Sequence, residues 1–253
     1  MSNIHPTAVV SSKAEIDSNV KIGPYCVIED NVIIQSGTEI GPHCVLHSFV
    51  KLGKGNQLHA QVVLGGVPQD LSFNGEETWV EIGDENVIRE NCTVHRSTNP
   101  NIPTTLGSKC YLMSYVHVAH DCQLGNEVIL TAYVGLSGHI EIGDNANLGG
   151  HVGTHQFIRI GKMSMIAGYT PVRKDVLPYC LLGGDPVRHM RLNTIGLRRS
   201  GIRGEQYRKL EKVFRKLREG ESIEDHHGTP EIDYLREYML APSKRGIYGF
   251  LKA

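Results

Sequence analysis

The chain has 253 residues, 40% hydrophobic and 21% charged, with a formal net charge of -1. That length suits one main domain with a smaller appendage. The first residues, MSNIHPTAVV, lack a basic segment followed by an apolar one, and no run of eighteen apolar residues occurs, which predicts a soluble, cytoplasmic protein with neither secretory leader nor membrane-spanning helix. Charge is unevenly spread: residues 188–219 hold eleven Arg or Lys against three Glu, a balance of +8 that leaves -9 elsewhere. The asymmetry predicts an anionic partner near that end, the alternative being a solvated basic helix face.

From the start of the chain a period of six dominates. Every sixth residue from Ile4 through Val10, Ile16, Ile22, Ile28, Ile34, Ile40, Leu46, Leu52 and Leu58 to Leu64 is aliphatic, eleven in succession. At this composition chance would produce such a frame about four times in 100,000, so the period is real. A Gly often follows the aliphatic residue, as in Ile22-Gly23 and Ile40-Gly41, and the position four beyond it is small or β-branched, as at Ala14, Val20, Cys26 and Cys44. Each hexapeptide is therefore a short strand ending in a tight corner around a narrow interior. The pattern resembles the hexapeptide-repeat left-handed parallel β-helix, with three strands and eighteen residues per coil, a fold whose hand comes from the resemblance and not from the spacing.

The frame resumes at Ile82 and runs to Val172, with Asp70, Glu76, Pro100 and Thr154 as exceptions. Polar stretches at 68–79 and 98–104 are expected to leave the prism as loops, where solenoids often carry function. After Cys180 helical spacing takes over. Tyr207, Leu210, Val213, Phe214 and Leu217 are closed by Gly220, and Thr229-Pro230 starts a second helix with Ile232, Leu235 and Tyr238. The expected division is a β-helix over 1–189 and a small helical domain over 190–253.

Five cysteines, Cys26, Cys44, Cys92, Cys110 and Cys122, fall on the small inward position, with no C-x-x-C spacing; they read as packing rather than disulfides or zinc ligands. Cys180 lies off that position. The chain has 13 histidines, and several crowd VHRST (94–98), VHVAHDC (116–122), SGH (137–139) and GTHQF (153–157). Residues eighteen apart stack on adjacent coils, which sets Asp121 against His139 and puts His120 in one column with Gly138 and Gln156. A carboxylate beside imidazoles suits general-base chemistry. The same pattern leaves open histidines that merely decorate a wet face, and a metal cluster of the kind found in hexapeptide folds resembling γ-type carbonic anhydrase.

The motifs PQDL, VHRST, HVAHDC, GHIEIGD, HQF, LNTIGLRRSG and SKRGI together resemble the UDP-N-acetylglucosamine O-acyltransferase family over essentially the whole chain. The resemblance implies a cytoplasmic homotrimer that moves an (R)-3-hydroxyacyl chain from acyl carrier protein to the 3-position of the UDP-linked amino sugar, opening lipid A synthesis. It implies no cofactor, no metal and no nucleic acid. By motif, His120 corresponds to the general base, Asp121 to its neighbouring acid, and Gly138 to the residue whose backbone N–H meets the oxyanion. Asp70, His117, His139, His155 and Gln156 match positions lining a cleft between subunits. Gly168 matches a position limiting acyl length, and Asn193 and Arg199 match nucleotide contacts.

Three acceptor-contacting positions depart from the commonest family pattern. Ser72 stands for a Lys, Ile195 for a Glu and Ser200 for the second of an Arg pair, which raises a 3-amino acceptor as an alternative to a 3-hydroxy one. Rival readings are another hexapeptide transferase, using acetyl-CoA or acting later in lipid A synthesis, and a catalytically silent solenoid. The LNTIGLRRSG segment and helical tail favour the first reading.

Overall fold

Each hexapeptide forms a strand of two to four residues that pairs with its equivalent one coil on. In the computed structural model, which describes residues 3–251, these strands wind into a left-handed parallel β-helix of about ten coils. Three sheets of 11, 9 and 8 strands form its faces. The first sheet stacks the aliphatic frame in register, Ile4 on Ile22, Ile40 and Leu58, and later Leu112 on Leu130, Leu148 and Ile166. From Ile22 upward these side chains are buried, so the core is a column of apolar rungs running the length of the prism.

Most corners place one residue in the left-handed region, three beyond the aliphatic. It is Tyr25 (φ 58°) or His43 (φ 59°) low on the prism, and Asp121 (φ 60°), His139 (φ 59°) and Phe157 (φ 63°) higher up. Non-glycine residues adopt this conformation at a cost of about 1–2 kcal/mol, offset here by coil-to-coil hydrogen bonds and the buried rungs. Their side chains consequently leave the corner in parallel, one above another. At the corner between the first and second sheets this stacks Tyr115, Tyr133, His151 and Tyr169, with ring centroids 4.9, 4.8 and 4.6 Å apart.

All six cysteines are buried and free. Cys180 joins the others at the small inward position, because the last coil is two residues short and sets Leu182 on Ile166. The six-residue count could not show this. Two longer excursions interrupt the coils, at residues 67–79 and 96–103, between Val63–Gly66 and Val80–Ile82 and between Thr93–His95 and Thr104–Leu106. The second ends earlier than expected, since Thr104 is buried in a strand. Leu58 pairs with Ile88 and Ile88 with Leu112, twelve and six residues more than one coil. Whole repeats were inserted, which is why the frame survives both loops in phase. Both leave from the corner between the second and third sheets, the corner that carries Asp121 and His139.

The prism is closed by the antiparallel pair Cys180–Gly183 and Arg188–Leu192; the latter strand crosses the boundary expected at residue 189. Three helices follow, α1 (Thr194–Arg199), α2 (Gly204–Glu219) and α3 (Pro230–Leu240). As read from sequence, Gly220 ends α2 in the left-handed conformation and the Thr229 hydroxyl caps α3 by accepting the Ile232 N–H. Arg159 ties α3 to the solenoid. Its Nε donates to the buried Asp175 carboxylate at 2.8 Å, and its guanidinium lies 4.5 Å from the Tyr238 ring centroid. No helix among the described residues is long and apolar enough to cross a membrane.

Candidate active site

The Gly138 backbone faces the His120 imidazole so closely that a Cβ on Gly138 would lie 2.4 Å from Cε1 and 2.6 Å from Nε2. This is the column expected from eighteen-residue coils, and it requires glycine for space rather than for backbone conformation. The Gly138 N–H meets no protein acceptor among the described residues. His120 itself is 2% exposed, and its Nδ1 is 2.6 Å from Asp121 Oδ2.

Asp121 is fixed from several sides. Its carboxylate accepts the Thr98 N–H at 3.0 Å, the Thr98 hydroxyl at 2.8 Å and the Ser97 hydroxyl, while its own N–H donates to Thr104 Oγ1 at 2.8 Å. Burial pushes its pKa upward, but the hydrogen bonds from His120, Ser97 and Thr98 outweigh burial and hold the carboxyl well below the ordinary range. With Asp121 ionised, the His120 proton belongs on Nδ1, and Nε2 presents a lone pair. The sequence reading missed Ser97 and Thr98 as the holders of Asp121, although both stand in the VHRST motif.

Two more sequence candidates reach this corner. Asp70, in the first loop, places Oδ2 3.8 Å from His120 Nε2. Its Oδ1 accepts the Ser72 hydroxyl at 2.7 Å and the Ser72 N–H at 2.8 Å, which lowers the Asp70 pKa. No Lys or Arg among the described residues pairs with it. His139 lies edge-on to His120 with centroids 5.2 Å apart, and its Nε2 is 3.7 Å from Asp121 Oδ2. Burial lowers its pKa, against the pull of Asp121. Asp121 and His139 border a cavity of about 390 Å³ that extends over Phe157 and Arg159 to Lys244 of the C-terminal tail. Asp70, His120 and His139 each offer one ligand atom, all within 4.8 Å of one another, so these three could hold a divalent cation.

The remaining candidates make no hydrogen bond or ion pair with His120. His117, on the second sheet, has Nδ1 2.7 Å from Thr93 Oγ1 and packs edge-on to His95 at 5.0 Å. His95, which the sequence reading passed over, is driven down to about 4, first by burial and then by His117. His155 is exposed, and Gln156 offers its carbonyl to Arg245 Nε at 3.1 Å. Gly168 sits at the first–second corner against Gly150. Asn193 and Arg199 border a groove of about 360 Å³ on the first sheet with Met163 and Met165, sharing no lining residue with the cavity beside Asp121 and His139. Asn193 is also employed structurally: its Oδ1 caps α1 by accepting the Gly196 N–H, and its Nδ2 donates to Met163 O at 2.9 Å. Within one chain Gly168, Asn193 and Arg199 do not meet His120.

A family profile described as Udp N-acetylglucosamine O-acyltransferase, domain 2, matches residues 175–248. A relative from Sulfurihydrogenibium sp. (strain YO3AOP1), named acyl-(acyl-carrier-protein)-UDP-N-acetylglucosamine O-acyltransferase, is 55% identical over 98% of this chain and 94% of its own length. The chain belongs to the UDP-N-acetylglucosamine O-acyltransferase family. It is thus an acyltransferase. Another family member, from Syntrophobacter fumaroxidans (strain DSM 10017 / MPOB), is 43% identical over 96% of this chain and 98% of its own. The solved UDP-N-acetylglucosamine acyltransferase of Bacteroides fragilis 9343 superposes with a TM-score of 0.92 at 36% identity, covering 96% of this chain and 98% of that one. For the Francisella novicida enzyme the score is 0.90 at 34% identity, covering 97% and 94%.

Proposed function

We propose that this acyltransferase moves a 3-hydroxyacyl group from acyl carrier protein to the 3-position of UDP-N-acetylglucosamine, the first step of lipid A synthesis, with His120 as general base. The observation carrying this reading is the buried His120 imidazole, oriented by an ionised Asp121 and lying against the glycine backbone of the next coil. His120 Nε2 removes the acceptor proton as the acceptor oxygen attacks the thioester carbonyl. The unpartnered Gly138 N–H stabilises the oxyanion. Collapse breaks the carbon–sulfur bond, and the imidazolium returns its proton to the departing thiolate of the carrier, which leaves as the thiol.

The acceptor nucleotide requires Asn193 and Arg199, which one chain holds away from His120; a homotrimer whose neighbouring copy supplies them completes the site. The pairing of a guanidinium with a diphosphate supports this role for Arg199. His117, His155 and Gln156 flank the sugar and acyl groups in the same cleft, and the open space beside Gly168 accommodates the chain's far end. The carrier docks on α2, where Arg208, Lys212, Arg215 and Arg218 border a groove of about 540 Å³. The same reading places the enzyme in the cytoplasm.

No cofactor or metal takes part in this reading, because the base needs the Nε2 lone pair that a cation held by Asp70, His120 and His139 would consume. His120→Ala tests it: turnover should fall by about 10² to 10⁴-fold with the fold retained, whereas near-normal turnover rejects the base. Exhaustive chelation should leave the rate unchanged, and loss of activity restored by a divalent ion would favour the metal reading instead.

A second reading concerns the acceptor. No Lys or Arg among the described residues pairs with Asp70, and Ser72, where the family commonly has Lys, donates to its Oδ1. An Asp70 carboxylate with no Lys or Arg partner at the acceptor's reacting position favours a 3-amino sugar nucleotide, which arrives partly as ammonium, loses its extra proton before attack and gives an amide. Side-by-side rates with 3-amino and 3-hydroxy acceptors decide; equal or hydroxyl-favouring rates defeat it.

A further inference from the structure

Beyond α3 the chain turns back across the solenoid and is fastened to it by main-chain hydrogen bonds. The Asp175 N–H donates to Gly246 O at 2.9 Å, Tyr248 N–H to Asp175 O at 3.1 Å and His189 N–H to Gly249 O at 2.9 Å. These anchors force residues 242–245 to pass over the second–third corner, above the rings that the corner projects. Arg245 Nε donates to Gln156 O at 3.1 Å, and Lys244 Nζ lies 4.3 Å from the Phe157 ring centroid.

Phe157 in turn lies flat on His139, with centroids 4.5 Å apart and planes 12° from parallel, and His139 stands edge-on to His120. Because Asp121, His139 and Phe157 occupy left-handed corner positions on successive coils, the pile is in register. A cation caps one end of it and the His120–Asp121 pair closes the other. Pro242 and Lys244 also border the cavity that Asp121 and His139 line. We propose that the C-terminal tail is a working part of the active centre, in which Lys244 and Arg245 hold Phe157 and thereby position His139 against the His120–Asp121 pair.

The groups facing His139 are Asp121 and Asp70, whose charges favour its protonation, and His120 and Lys244, whose charges oppose it; Glu141 and Arg159 line the same cavity. Lys244 therefore places its positive charge at the end of the ring pile opposite the His120–Asp121 pair. This inference rests on the reading of His120 as base.

The test compares Lys244→Met, Lys244→Arg and Phe157→Leu with His120→Ala, each checked by thermal melting. Lys244→Met removes the charge but keeps the stem. Its kcat should fall severalfold with the donor KM unchanged, and the acid limb of kcat/KM against pH should move to higher pH by a few tenths of a unit. Lys244→Arg should restore both, and Phe157→Leu should lower kcat even with Lys244 present. An unmoved pH profile in Lys244→Met, or an Arg variant as impaired as the Met variant, overturns the tail's role while His120→Ala remains inactive. An active His120→Ala overturns the underlying base assignment instead.

Discussion

Substituting Gly138 by Ala perturbs the His120 imidazole without touching the imidazole's own chemistry. The new methyl group would begin 2.4 Å from His120 Cε1 and 2.6 Å from Nε2, about 1 Å inside an ordinary contact. The backbone there is pinned, because the His139 N–H donates to His120 O at 3.1 Å and the Phe157 N–H to Gly138 O at 3.3 Å. The ring must therefore move. Asp121 cannot follow it, being held by Ser97, Thr98 and Thr104, so the 2.6 Å bond to Nδ1 stretches or breaks. A misplacement of about 1 Å costs on the order of 10²-fold in rate, equivalent to about 2.7 kcal/mol of activation free energy. Initial rates with carrier-bound donor and sugar nucleotide measure it, alongside thermal melting. Gly135→Ala, whose Cβ would meet nothing within 4 Å, is the packing control and should melt with the parent. A folded Gly138→Ala enzyme with parental kcat would refute the claim that this backbone and this imidazole are in functional contact.

Asp121→Asn should lower kcat by about 10³ to 10⁴-fold, because the amide no longer demands a proton on Nδ1 and the base can adopt the wrong tautomer; a loss below tenfold in a folded variant would contradict the orienting role. His189 is fully buried, and burial brings its pKa down to about 4. The unfolded chain takes up that proton below about pH 6.5, so the stabilisation is complete above that pH and is lost as pH falls towards 4, by about 2 kcal/mol between pH 7.5 and 5. Denaturant midpoints across this range measure it. A slope unaltered in His189→Phe would remove His189 as its source. Finally, KM for carrier-bound donor should rise steeply with salt while KM for the sugar nucleotide changes less, and charge reversal at Arg215 with Arg218 should flatten the salt dependence; a salt-insensitive donor KM excludes docking on α2.

The prism was legible in the sequence because a six-residue coil repeats one steric demand. Ile22, Ile40 and Leu58 must fill the same rung, Cys26 and Cys44 the same narrow corner, and the inserted loops keep phase because they comprise whole repeats. The column of His120 with Gly138 followed from the same arithmetic. Residues held by irregular segments were not legible. Ser97 and Thr98 meet Asp121 only because the second loop folds back upon the next coil. Lys244 and Arg245 reach Phe157 only because the tail is hydrogen-bonded to Asp175 and His189.

Sequence alone therefore determined the solenoid, its core and the vertical neighbours of His120, since periodic packing converts position in the chain into position in space. Tertiary structure alone decided that both loops and the C-terminal tail converge on one corner, and that Asn193 and Arg199 lie on another face. Such long-range encounters depend on where irregular backbone finds its hydrogen-bond partners, which no local repeat encodes.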